Sequence, residues 1–404
     1  MKIDLKKLPQ EVSKIFQIFN AKEDDCVRLV GGAVRDLIIG KGVVDFDFAT
    51  KLTPEESIKV ITTDGFKAIP TGVKYGTVTA LIGDLSFEIT TLRSDENSDG
   101  RHPEAKFVKD YFGDAKRRDF TMNALYLDQN GEVFDYFDGI KDLQAGIVKF
   151  IGEPDQRIKE DYLRILRFFR FTAIYGAKID EEGLAACLTN KSGMKILSSD
   201  RIREELIKFF NAEDSEFLLE VLSLMENKGI RQEILPVEFG VNNLRLILDL
   251  EEQLEVEFSA KLLLFTLIFN GDQDLKEVFA KLNISNADKK YYYVLAQYID
   301  SINQILTQKD LKKLSVYLEK ELLLDLYLFK TAQNLPLLEN INIDEIWQNI
   351  DFIDEYDPPI FPVNGDDLLK LGFEGAKIGK TLTELKEKWV ESGFKMGKNE
   401  LLKL

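Results

Sequence analysis

Two hydrophobic rhythms divide the chain. Up to about residue 150, apolar side chains alternate with polar ones over short runs. VVDFDFAT (43–50), YGTVTALI (75–82) and SFEITTL (86–92) share this period of two and are rich in β-branched and aromatic residues, as half-buried strands are. Gly83-Asp84 between the last two predicts a hairpin and therefore antiparallel pairing. From about 155 the apolar positions recur three and four apart. DQRIKEDYLRILRFFRFTAIYG reads as one helix stopped at Gly176, and SSDRIREELIKFF as a helix opened by a Ser/Asp cap with Glu204 and Glu205 in its first turns. Leu/Ile/Phe-rich helical spacing continues beyond 210. Pro358-Pro359 then isolates a last segment of about 45 residues. There is no repeat and no low-complexity tract.

Composition narrows the class. The 404 residues are 45% hydrophobic and 30% charged, ordinary for a soluble protein, and the formal charge of −17 excludes a general polycation that coats nucleic acid. That charge is uneven: −4 over residues 1–150, +1 over 151–210 and −14 over 211–404. Two cysteines, Cys26 and Cys187, cannot build a disulfide framework or a four-thiolate zinc site. The single histidine, His102, excludes His-rich metal sites and His-paired nucleophiles unless it serves them itself. No run approaches the roughly 20 apolar residues of a membrane span, and MKIDLKKLPQ lacks the apolar core of a secretory signal. A reduced cytoplasmic protein without a membrane or an obligate protein partner is expected.

The candidate chemistry lies early in the chain. VRLVGGAVRDLIIG (27–40) reads as strand, Gly31-Gly32 turn and short helix carrying Arg35 and Asp36. Paired glycines admit close backbone approach and a helix N-terminus favours an anion, although a plain tight turn has the same pattern. Asp45-Phe46-Asp47-Phe48 follows. On a strand both carboxylates point to one face, where they repel unless a cation sits between them. Mg²⁺ suits such hard oxygen ligands and leaves positions for phosphate oxygens. Glu88 on SFEITTL is either a third carboxylate of this group or a solvent-facing strand residue.

GGAVRD followed by DFDF resembles the head signature of the class II tRNA nucleotidyltransferase and bacterial poly(A) polymerase superfamily. PTGVKYGTVTA (70–80), RRDFTMNAL (117–125), DYFDGIKDL (135–143), EDYLR (160–164) and SSDRIREEL (198–206) resemble further motifs of that superfamily in the same order. The resemblance implies a polymerase-β-like α+β head over 1–142, then an all-α neck over 143–210, body over 211–300 and tail over 301–404. It implies catalytic Asp45, Asp47 and Glu88, with Mg²⁺ on Asp45 and Asp47. It assigns Gly31, Gly32, Arg35, Arg117, Arg118, Asp119, Asn123, Glu160, Asp161, Arg164 and Arg167 to nucleotide binding.

These assignments also stand beside plainer ones. Arg117 and Arg118 suit phosphate oxygens, and Asp119 suits a ribose 2′-hydroxyl or a helix first turn. If EDYLR is helical, Asp161 and Arg164 share a face and present an acceptor beside a donor fork. That arrangement imitates a base-pairing partner for cytosine and then adenine, or is an intrahelical ion pair. Arg167 and Arg170 continue the basic face toward triphosphate or RNA, or simply solvate the helix.

The expected reaction is template-independent addition of C, C and A to tRNA from CTP and ATP, releasing pyrophosphate by two-metal-ion transfer. The acidic C-terminal half and the lack of an Arg-rich head segment argue against a poly(A) polymerase. The polar stretch TTLRSDENSDGRHPEAKF (90–107) resembles the loop of complete CCA-adding enzymes and argues against CC-only addition; A-only addition and a catalytically idle RNA-binding protein remain alternatives. No phosphohydrolase domain built on His-Asp pairs fits one histidine. Arg93, Arg101, Lys377 and Lys380 are candidates for RNA contact, with His102 beside primer or substrate. LGFEGAKIGKTL (371–382) resembles a family tail motif, and a tight helix–helix turn explains it equally.

Overall fold

The computed structural model describes residues 1–94, 106–271, 275–302, 304–337 and 342–404. They divide into two compact units, Met1–Pro236 and Val237–Leu404.

The first unit is built on a seven-stranded sheet. Its strands are β1 (Val27–Val30), β2 (Phe46–Thr50), β3 (Lys67–Gly72), β4 (Thr77–Ile82) and β5 (Leu85–Thr91). The short β6 (Arg93–Ser94) and β7 (Lys106–Phe107) pair with each other, and β8 (Leu125–Leu127) and β9 (Val133–Asp135) complete the main sheet. The order is β3-β4-β5-β2-β1-β8-β9. β4 and β5 form the antiparallel hairpin expected from Gly83-Asp84, with Gly83 at φ +61°. β2 and β5 run parallel at the centre.

Alternation decides what each face does. Phe46 and Phe48 of β2 point into a core shared with Phe87 of β5 and with α1 (Gln10–Asn20). Phe48 lies 5.4 Å from Phe16 and 6.1 Å from Phe87, ring to ring, in edge contacts. Each such fully buried ring stabilises the unit by roughly 1.5–3 kcal/mol. Asp47 and Ala49 therefore face the other way. Ala49 is covered by Tyr126 and by Tyr111 and Ala115 of a helix met below, while Asp47 is left at the surface.

Short helices decorate this sheet: α2 (Gly32–Ile39), α3 (Pro54–Thr63), α4 (Tyr111–Lys116) and α5 (Gly139–Gln144). α3 starts on a reciprocal cap in which Thr53 and Glu56 satisfy each other's backbone N–H, with Pro54 in the first turn. Residues 154–227 then turn helical as α6 (Pro154–Glu160), α7 (Leu163–Tyr175), α8 (Glu181–Asn190), α9 (Ser199–Lys208) and α10 (Ser215–Asn227).

One expectation fails here. The stretch ending at Gly176 is two helices, because Asp161 is extended (φ −156°, ψ 106°). Its carboxylate accepts the Leu163 N–H at 3.1 Å, so the aspartate caps the new helix instead of continuing the old one. Asp161 and Arg164 thus do not share a helical face: one stands in the break, the other in the first turn of α7. The strand predicted over 43–50 also starts later, at Phe46, which leaves Asp45 just before it.

The second unit is helical, with ten helices among the described residues, from Val241–Leu254 to Lys398–Leu401. Phe265 packs between Phe269, Tyr292 and Phe329 in one part of its core. Past Pro358-Pro359, Val363, Leu368, Leu385, Trp389, Val390 and Leu401 make a separate apolar cluster. Within it, residues 371–375 of LGFEGAKIGKTL turn the chain between Gly365–Lys370 and Ala376–Glu391, with Gly372 and Gly375 at φ +86° and +56°. Lys377 and Lys380 are exposed on the second of these helices, with Lys380 3.9 Å from Glu384.

Candidate active site

The parallel register of β2 and β5 sets Asp47 directly beside Glu88. Asp45, Asp47 and Glu88 are exposed, and among the described residues none of them accepts a hydrogen bond or ion pair from a side chain. Asp47 keeps a solvent-facing surface, yet the surrounding protein pushes its carboxyl up to about 6; Glu88 adds to the rise, Arg118 opposes it and Asp45 contributes least. Two adjacent carboxylates with no side-chain donor bound to them form a donor pair suited to a cation. No group of three or more His, Cys, Asp or Glu is gathered as a ready cation cage among the described residues.

Gly31 ends β1 and begins α2 with φ +72° and ψ −128°, a conformation that requires glycine. A side chain at Gly31 would meet the Arg118 guanidinium at 3.4 Å. The Gly31 turn, Arg118 and Asp47 are thereby brought to one place. Arg118 is held by Asp114, which lies in α4 and is 1% exposed; Arg118 Nη2 donates to it at 3.2 Å, Arg117 Nε at 2.8 Å and the Tyr126 hydroxyl at 2.7 Å. Burial alone would raise the Asp114 carboxyl, but Arg118 and Arg117 outweigh it and hold it below its ordinary value.

Asp119 is equally committed. One oxygen accepts from the Phe120 N–H at 2.9 Å and the Asn123 amide at 3.1 Å; the other accepts from Arg167 Nε at 2.7 Å and is 2.6 Å from Nη2. Burial raises this carboxyl, yet Arg167 and the hydrogen bonds bring it down to about 2. Arg35 is buried as well. It donates to Asn123 at 2.7 Å, to both oxygens of Asp36 and to the Tyr175 hydroxyl at 2.5 Å, and its guanidinium lies 3.9 Å over the Tyr175 ring. Arg35 therefore fastens α2 to α7. DYFDGIKDL supports the same turn: Thr121 donates to Asp142 at 2.7 Å, and a Cβ on Gly139 would lie 2.2 Å from the Thr121 carbonyl.

At the α6–α7 break the three charged side chains of EDYLR each have a partner. Glu160 bridges Arg157 and Arg164, the latter at 2.6 Å. Arg157 also donates to the carbonyls of Arg117 and Arg118, and Arg164 to those of Arg157 at 2.6 Å and Arg117 at 3.3 Å. Asp161 accepts from Arg201 at 2.7 Å. The alternative of an Asp161–Arg164 ion pair is not what forms; each side chain binds the neighbour that the break leaves facing it. Arg170 donates to the buried Glu205 at 2.7 Å, so it belongs to the interior and not to a solvated face.

Residues 27–149 match the poly(A) polymerase head domain. The chain is 35% identical to the mitochondrial CCA tRNA nucleotidyltransferase 1 of Danio rerio, with 97% of this chain and 88% of that protein covered. The chain belongs to the CCA tRNA nucleotidyltransferases. It is 29% identical to the CCA-adding enzyme of Lactobacillus helveticus, with 96% of each covered. Its fold is shared with the crystal structure of the Bacillus stearothermophilus CCA-adding enzyme in complex with CTP, at a TM-score of 0.76, 24% identity and coverage of 95% and 93%. A complex of the Thermotoga maritima CCA-adding enzyme with tRNA is a further match, at a TM-score of 0.62 and 20% identity, covering 100% and 95%.

Nucleotidyltransferases of this family generally use divalent metals, and the donor set here fits one: hard oxygens, unpaired, with one carboxyl lifted by burial and then by its neighbour Glu88. Among residues of this CCA tRNA nucleotidyltransferase that the sequence did not single out are Asp114, Arg157, Tyr175 and Arg201. Two had a signal. Asp114 precedes Arg117 and Arg118 by three and four residues, and Arg157 precedes Glu160 by three, the spacings of helical ion pairs. Arg93 donates to the Tyr75 carbonyl at 2.8 Å. Arg101 and His102 lie outside the described residues. No described helix is long and apolar enough to cross a membrane.

Proposed function

We propose that this chain adds C, C and A to the 3′ end of tRNA, using CTP twice and then ATP and releasing pyrophosphate. The observation that supports this most is kinship through the whole chain, 97% of it, with an enzyme named for nucleotidyl transfer to tRNA. The geometry agrees: an uncompensated carboxylate pair and a glycine turn under an arginine lie in the same compact unit as the Asp161–Arg164 break.

The tRNA 3′-hydroxyl would attack the α-phosphorus of the bound nucleotide. Asp45 and Asp47 would hold Mg²⁺, with Glu88 beside them. When bound, the metal lowers the pKa of the attacking hydroxyl and offsets the triphosphate's charge. The Gly32 N–H at the start of α2 and the Arg118 guanidinium would receive the triphosphate, beside Gly31, whose own N–H donates to the Leu125 carbonyl at 3.1 Å, and Arg117 extends that cation. Asp119 already serves four donor contacts, so a ribose 2′-hydroxyl bonds there by displacing one of them. Asp161 and Arg164 would read the base edge, each exchanging a protein partner, Arg201 or Glu160, for it. Arg93, Lys377 and Lys380 would touch RNA. Two buried free thiols, Cys26 and Cys187, suit the reducing cytosol.

The deciding experiment supplies Mg²⁺ and a tRNA transcript lacking its 3′ end, with products resolved to one nucleotide. Two additions with CTP alone and three with CTP and ATP support the proposal. A ladder of A, addition of CC only, or addition of A only to a CC-ended tRNA overturns it in favour of a polymerase or a split-activity enzyme. No extension returns the chain to an RNA-binding role.

A further inference from the structure

We infer that Tyr162 and Gly193 form a stop that positions the base-reading pair, the ring of Tyr162 lying flat on a bare backbone position of a neighbouring segment. The inference rests on the proposal that Asp161 and Arg164 read the nucleobase.

Gly193 belongs to the 3-10 segment Lys191–Ile196, and its φ is not in the left-handed region. Backbone conformation therefore does not call for glycine there. Space does. A Cβ on Gly193 would lie 2.0 Å from Cε1, 2.2 Å from Cδ1 and 2.3 Å from Cζ of Tyr162, where 3.0 Å is the practical minimum for a real Cβ. Tyr162 is the residue between Asp161 and the start of α7, inside the break that separates the two reading groups.

The surface under the ring is fixed. Asn190, at its start, is buried and donates to Asp155 of α6 at 2.6 Å and to the Ala186 carbonyl at 2.9 Å. Met194 is fully buried beside it. The ring is thus wedged between the break and a platform already fastened to α6. On the other side Asp161 is held by the Leu163 N–H and by Arg201. Moving the ring by the ångström or so that a methyl group demands moves the adjoining Asp161 peptide, and with it the acceptor that has to meet a base edge. Tyr162 and Gly193 are positioning residues: neither has to touch the nucleotide.

The test is a double-mutant cycle in the full enzyme, reading kcat/KM for CTP against UTP at the first addition together with the KM for tRNA. Gly193→Ala is expected to lower the CTP preference at least tenfold while changing the tRNA KM less than twofold. Tyr162→Ala should lower it similarly, and adding Gly193→Ala to it should cause little further loss, because the ring that clashes is gone. Tyr162→Phe, which keeps the ring, should restore the preference to within about threefold of wild type. Additive effects, or a uniform loss of rate with the CTP preference kept, would overturn the stop. If Gly193→Ala fails to fold, the Tyr162→Ala and Tyr162→Phe pair decides on its own: preference lost in the first and kept in the second supports it, and any other pattern overturns it. Asp161→Ala separates the two levels, since an unchanged preference in that variant defeats base reading itself.

Discussion

The carboxylates of β2 and β5 and those around the α6–α7 break stand in opposite electrostatic conditions. Asp47 and Glu88 face each other in register with no protein cation bound to either, and Asp47 is lifted to about 6. Asp114, Asp119, Glu160, Asp161 and Glu205 each hold an arginine, and Asp119 is lowered to about 2. The first arrangement stores a need for something from outside; the second is already satisfied and holds geometry. A variant should therefore act on chemistry in the first region and on shape or selection in the second.

The largest expected effect belongs to the first region. Asp47→Ala should reduce nucleotide incorporation by 10³-fold or more, roughly 4 kcal/mol of transition-state stabilisation, while tRNA binding persists. Removing one of two repelling carboxylates should also leave the melting temperature of the metal-free protein unchanged or higher. Incorporation above about a hundredth of wild type, or a lower melting temperature, breaks the contrast; gel-resolved extension and a thermal melt in chelator measure both.

The second region should fail in the other manner. Asp119→Ala strands Arg167, which keeps only the more distant Glu205 at 3.8 Å. Breaking such a largely buried pair costs about 3 kcal/mol. The sign with pH follows from the lowered carboxyl: its contribution is complete above about pH 4 and is lost as pH falls toward 2. Urea unfolding followed from pH 7 down to pH 3 should show wild type and variant converging at the acid end. Parallel curves would mean that Arg167 is not what holds Asp119 down.

These two regions were not equally readable. The carboxylate face was legible because period-two alternation places Asp47 opposite Phe46 and Phe48, and the Gly-Asp turn fixes the β4–β5 pairing. The parallel β2–β5 contact that puts Glu88 beside Asp47 is non-local and leaves no mark in either strand. At the break, spacing misled. EDYLR fits a continuous 3.6-residue rhythm, and nothing in that rhythm shows that Asp161 caps a new helix or that Arg201, forty residues on, takes its carboxylate. The partners of Arg35 were illegible for a related reason: Asn123 and Tyr175, to which it donates, come from distant parts of the chain.

A smaller effect, confined to selection, is expected at Arg164. Its guanidinium is anchored to Glu160 and two carbonyls, so Arg164→Ala should spare the carboxylate chemistry and reduce CTP preference over UTP by about 10- to 100-fold, or roughly 1.4–2.8 kcal/mol. Single-turnover rates with saturating tRNA isolate that ratio. An unchanged preference with weaker folding would make Arg164 a strut for the Arg117 carbonyl and nothing more.

The smallest effect asks whether a raised carboxyl marks a reaction centre at all. Asp325, in the helix Lys320–Asn334 of the second unit, is 5% exposed and is pushed up to about 6 by burial, as Asp47 is. It accepts a hydrogen bond from the Tyr291 hydroxyl, which only partly offsets that burial. A carboxyl raised in the folded state favours folding most when protonated, so this stability is full below about pH 4 and declines as pH rises to about 6. Asp325→Asn keeps an acceptor for Tyr291 and removes the titration. It should stabilise the second unit on the order of 1 kcal/mol at pH 7, have little effect near pH 4 and leave CCA addition unaltered. Lost incorporation in this variant would show that perturbation by burial reports function in both units. The expected outcome assigns that meaning only to Asp47, where a second uncompensated carboxylate stands in register beside it.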